Sequence, residues 1–146
     1  MTMQNICRSA LVPFSTKQMY QLVDDIDNYN SFVPYCQTAC VLERNPKQVT
    51  AKLEVAKNGL AKSFTTVNTL KPYEFIRMEL IDGPFSHLSG SWRFTALSES
   101  ACKIELDLNF EFSNKITRLA FSKIFNKLIQ SMVSAFTAQA EKIYVK

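Results

Sequence analysis

The feature that most constrains this chain is a change of hydrophobic period near residue 113. Val49, Ala51, Leu53 and Val55 alternate with Thr50, Lys52, Glu54 and Ala56, the two-residue repeat of a strand with one buried face. The same repeat recurs in Leu88, Gly90, Trp92, Phe94 and Ala96, and in Ile104, Leu106, Leu108, Phe110 and Phe112. From Asn114 to about Tyr144 the repeat becomes helical. Phe121, Phe125, Leu128, Met132, Phe136 and Ile143 share one sector, opposite Lys123, Lys127, Gln130, Ser134 and Glu141. Such a helix is about 45 Å long, and the only apolar surface of that length is the inner face of a sheet. The expected architecture is α+β: a curved antiparallel sheet wrapped around one long C-terminal helix, with an apolar pocket between them.

The ends of the elements are marked in the sequence. A first strand, Asn5 to Leu11, stops at Pro13, and Ser15 is placed to cap a helix from Thr16 to Val23. Asp24 to Asn28 favours a turn because short polar side chains compete for backbone hydrogen bonds. Asn58-Gly59 suits a tight hairpin, Lys71-Pro72 ends a more mixed strand from Leu60 to Leu70, and Asp82-Gly83-Pro84 breaks the chain again. Cys36 and Cys40, four apart in an expected strand, should share a face. No repeat is visible, and 146 residues suit one domain spanning 1–146.

Composition excludes several chemistries. The four cysteines (Cys7, Cys36, Cys40, Cys102) form no C-x-x-C pair, so reduced thiols and a cytoplasmic location are expected. Residues 1–10 lack the apolar core of a secretory signal, and no run is long enough for a membrane span. With one histidine, His87, no nucleophile–base pair stands out, and no zinc or calcium spacing occurs. His87 reads as an ordinary histidine at a loop edge, with a ligand contact or a pH-sensitive latch as the alternative. Three glycines, at 59, 83 and 90, cannot build a phosphate loop or a dinucleotide fingerprint. Binding without catalysis is the expectation, with no metal and no DNA partner.

Two features speak for binding. Phe32, Tyr35, Phe64, Phe85, Trp92, Phe94, Phe121 and Phe125 come from separate elements that this architecture gathers around the pocket. Each alone suits a core; together they suit the lining of a pocket for an apolar ligand. Arg118 projects toward the apolar sector in the first turn of the last helix, where it must reach water, find a carboxylate or stand at the pocket mouth. Charge is the second feature. Residues 1–112 carry 11 Lys or Arg against 12 Asp or Glu, whereas 113–146 carry 6 against 1. Lys115, Lys123 and Lys127 are therefore either a solvated helix face or a contact for a polyanion such as a ribosome or a membrane surface.

The order and spacing of Tyr29-Asn30-Ser31-Phe32-Val33-Pro34-Tyr35-Cys36, of Asp82-Gly83-Pro84-Phe85 with Leu88, Gly90, Trp92 and Phe94, and of Phe110-Glu111-Phe112 before the last helix resemble the bacterial RatA proteins. These belong with the coenzyme-Q-binding proteins in the START-like, polyketide-cyclase-like superfamily. The resemblance covers about residues 5–144. It implies a helix-grip fold and two activities. One is binding of ubiquinone or a related isoprenoid lipid in support of respiration. The other is association with the large ribosomal subunit so that subunits fail to join. Many quinone-binding relatives have Trp after the proline where this chain has Tyr35, and a tyrosine still packs against a flat ring. Aromatase or cyclase activity is implied only by the wider superfamily.

Overall fold

The computed structural model describes residues 3–145. Seven strands form one antiparallel sheet: β1 (Gln4–Val12), β2 (Cys36–Arg44), β3 (Gln48–Lys57), β4 (Leu60–Lys71), β5 (Phe75–Asp82), β6 (Phe85–Ser98) and β7 (Ala101–Phe112). Their spatial order is β1-β7-β6-β5-β4-β3-β2. Strands β2 to β7 follow one another as hairpins, but β1 and β2, adjacent in sequence, are the two edges of the sheet. Between them run helix α1 (Thr16–Asp24) and a 3-10 turn (Ile26–Ser31). The sheet curves around α2 (Lys115–Tyr144), which packs on β1, β7, β3 and α1.

Local chemistry sets these boundaries. Ser15 Oγ accepts from the Gln18 amide while Gln18 Oε1 accepts from the Ser15 amide, so two amides left over at the start of α1 are satisfied reciprocally. Asn114 caps α2 through the Thr117 amide. Asn58 and Gly59 both adopt positive φ, 54° and 82°, the conformation that a two-residue hairpin demands. At Gly83 a Cβ would lie 2.6 Å from that of Phe64. The absence of a side chain there lets the β5–β6 turn close against the inner face.

Two expectations are corrected. Cys36 is buried and Cys40 exposed, because a bulge between Cys36 and Thr38 inserts a residue into β2. One extra residue reverses the facing of everything beyond it. On α2, Ile143 is exposed, whereas Ile129, Val133 and Ala140 are buried with the expected Phe121, Phe125, Leu128, Met132 and Phe136. The buried sector is broader than a narrow stripe because the concave sheet surrounds the helix on more than one side.

Candidate functional site: an apolar cavity with one polar pair

Between α2 and the inner face lies a cavity. Its walls are Ile26, Tyr29, Val33 and Cys36 at one side, Ala51, Leu53 and Val55 from β3, and Phe64, Thr66 and Asn68 from β4. Met78, Leu88, Trp92, Leu106 and Leu108 continue the sheet, and Phe125, Leu128, Ile129 and Met132 come from α2. The space open to the centre of a water-sized sphere is about 60 Å³, enough for a few water molecules.

Alternation along β4 puts Phe64, Thr66 and Asn68 on the inner face. Thr66 lies between Ala51 and Leu80, and Asn68 between Val49 and Met78, so two polar side chains, each only 6% exposed, are set among apolar ones. Thr66 Oγ1 donates to Asn68 Oδ1 at 2.8 Å. The pair satisfies one bond internally. The Asn68 amide nitrogen has no protein acceptor among the described residues, yet it is not sealed away, so it opens onto the cavity that Asn68 lines.

Other polar groups of the wall are already engaged or neutral. The Tyr29 hydroxyl donates to the Val23 carbonyl, and burial, followed by the nearby Asp24, pushes its phenol well above the usual range. Burial also pushes the Cys36 thiol up to about 11. Neither group supplies an anionic nucleophile near neutral pH.

Of the aromatic residues singled out in the sequence, Phe64, Trp92 and Phe125 line the cavity. Phe85 stands behind that wall, stacked on Phe112 with ring centroids 5.2 Å apart and touching Phe64 and Phe125. Phe121 packs on Phe112 and Phe125 in the same cluster. Phe32 lies against Tyr29 and Phe136, and Phe94 against Tyr20, neither of them on the cavity wall. Tyr35, in a left-handed conformation with φ of 65°, presents its ring to the Lys57 ammonium at 4.9 Å. Arg118 is half-buried in the first turn of α2, while Lys115, Lys123 and Lys127 are exposed. His87 is exposed and hydrogen-bonded to Ser89 Oγ. Sequence reasoning missed Thr66 and Asn68. Their signal was present, since they follow Phe64 at steps of two in a strand whose inner neighbours are all apolar.

A family model described as polyketide cyclase / dehydrase and lipid transport matches residues 12–137. The ribosome association toxin RatA of Vibrio cholerae is 51% identical over 142 residues, 97% of this chain and 99% of that one. The chain belongs to the RatA family. RatA of Escherichia coli is 49% identical, over 97% of this chain and 90% of that protein. The mitochondrial coenzyme Q-binding protein COQ10 homolog B of Xenopus laevis is 33% identical across 93% of this RatA-family chain and 57% of its own length. Among solved structures, the Zhui aromatase/cyclase of a Streptomyces species superposes with a TM-score of 0.85 at 17% identity, covering 97% and 95% of the two chains. An 18 kDa protein of Caulobacter crescentus does so at 0.75 and 22%, covering 98% and 99%. These likenesses establish the START-like helix-grip fold for this RatA-family chain. Among the described residues no helix is long and apolar enough to cross a membrane.

Proposed function

We propose that the chain binds, without transforming it, a hydrophobic guest carrying one carbonyl or hydroxyl oxygen, namely ubiquinone or a related isoprenoid lipid, in support of respiration. The carrying observation is the Asn68 amide, a hydrogen-bond donor held, with its partner Thr66, in an otherwise mainly apolar cavity wall that also includes Trp92 and Phe125. A carbonyl oxygen completes that donor. Each CH₂ taken from water adds about 0.8 kcal/mol, and the rings of Trp92 and Phe125 suit a flat head group. The coenzyme Q in the name of the Xenopus relative agrees with this reading. The protonated Cys36 and Tyr29 support binding without covalent chemistry. Because the cavity is small when empty, the guest enters as Met78, Met132 and their aliphatic neighbours repack.

Titration with a short-chain ubiquinone analogue, followed by Trp92 fluorescence, tests this. The parent should show saturable quenching. Thr66→Val combined with Asn68→Leu removes both partners of the polar pair, which leaves stability nearly unchanged, and should weaken binding by about tenfold, the loss of one buried hydrogen bond. Unaltered affinity in the double variant would refute the assignment of Asn68.

A second reading, association with the large ribosomal subunit to block subunit joining in the cytoplasm, is favoured by 51% identity to a protein named a ribosome association toxin. Its contact would be the exposed Lys115, Lys123 and Lys127. Lys123→Glu with Lys127→Glu should then abolish cosedimentation with large subunits while leaving quinone quenching intact. Retained cosedimentation would remove these lysines from the contact.

A further inference from the structure

The first three turns of α2 carry a surface that neither the cavity nor the core explains. Ile116 is 79% exposed and Leu119 71% exposed, and three residues apart they adjoin on one helix face. Lys115 and Lys123 lie one turn before and one turn after Leu119, and Lys127 one turn further, all exposed. No acidic residue occurs in α2 before Glu141. Directly beneath, Phe121 and Phe125 are fully buried, so this stripe is displayed on a rigid, anchored segment.

We propose that this stripe docks on an anionic lipid surface. A single exposed leucine is ordinary, but two large aliphatic side chains interleaved with cations, on a helix face free of acids, have the composition of an interfacial helix. Such a helix puts its apolar side chains below the phosphates and leaves its lysines among them. Ribosomal RNA would satisfy the lysines alone, leaving Ile116 and Leu119 without a role, which favours lipid. The docked turns lead directly into Phe125 and Leu128 of the cavity wall, placing the membrane beside the helix that covers the guest. This surface goes beyond the binding reading above and stands without it.

Cosedimentation of the full chain with phosphatidylcholine vesicles, with and without phosphatidylglycerol, provides the test. The parent should bind the anionic vesicles and leave the neutral ones. Ile116→Ser with Leu119→Ser should weaken that binding on the order of a hundredfold, since each side chain loses its transfer into the interface, without altering the melting temperature or quinone quenching. Absence of binding by the parent, or undiminished binding by the double variant, overturns the proposal. So does loss of large-subunit cosedimentation in the double variant with no vesicle binding by the parent, which would assign the stripe to the ribosome. A failure of quinone quenching in the parent leaves vesicle binding unaffected and counts only against the cavity reading.

Discussion

Two stretches of the space beneath α2 are filled in different ways. Around Phe110, the rings of Phe85, Phe112, Phe121 and Phe125 interlock, with Phe110 and Phe125 centroids 4.9 Å apart and several edge-to-face pairs. Farther along the helix the wall passes to Leu128, Ile129, Met132, Met78 and the Thr66–Asn68 pair, and a void remains. Stiff rings with two torsions each fix a single arrangement, whereas thioethers and aliphatic chains repack at little cost. The aromatic end is a structural clamp, and the neighbouring wall is the part that can yield to a guest.

The sharpest break of this contrast is energetic. Phe110→Ala should destabilise the protein by about 3–5 kcal/mol, through lost transfer energy and the hole left among rings. Met132→Leu in the yielding wall should cost under about 1.5 kcal/mol. Denaturant titration of both variants decides it; equal losses would mean that the cavity wall is as rigid as the clamp.

A smaller effect is expected from alkali. Burial raises the Cys36 thiol from its ordinary 9.0 to about 11, so the folded state holds this proton where the unfolded chain releases it. The stabilisation is complete below pH 9 and is lost as the pH rises through about 11. Cys36→Ala should flatten that part of the stability profile, and an unchanged alkaline slope would assign it elsewhere, for example to Tyr29. The mildest consequence appears in thiol labelling of the native protein. Cys40, exposed, should react first. Cys7, also exposed but with its thiol hydrogen-bonded to Asp107 Oδ1 at 3.2 Å and its pKa raised first by that bond, should react more slowly. Cys36 and Cys102, both buried, should react only on unfolding. Rapid labelling of Cys36 would show that the yielding wall opens without a guest.

Much of the fold was legible because period and punctuation agreed. The alternation in β3, β6 and β7, the Asn58-Gly59 hairpin, and the caps at Ser15 and Asn114 are local rules with local outcomes. The bulge after Cys36 was not legible, since nothing in Cys36-Gln37-Thr38 distinguishes an inserted residue from a regular one until β3 supplies the register. The site was less legible than the fold. Aromatic residues can be counted in a sequence, but whether a ring faces a void or another ring depends on contacts between distant elements, as the different places of Phe64 and Phe94 illustrate. Asn68 escaped notice because a polar residue in a strand is ordinarily turned outward, so its step of four from Phe64 carried little weight until the register with Val49 and Met78 set apolar neighbours on either side of it.

The placement of β1 and β2 at opposite edges has a consequence for how the molecule is made. Strand β1 pairs along its whole length with β7, from Gln4 opposite Phe110 to Val12 opposite Cys102, a partner roughly a hundred residues later in the chain. During synthesis, at about 5–20 residues per second, the first strand therefore waits for many seconds while the meander from β2 to β6 assembles by short-range contacts. Closure is a late, long-range event, of the kind that slows folding. Since α2 follows every strand of the sheet in the chain, a nascent chain holds its inner face open to the surroundings until the 30 residues of α2 arrive to cover it.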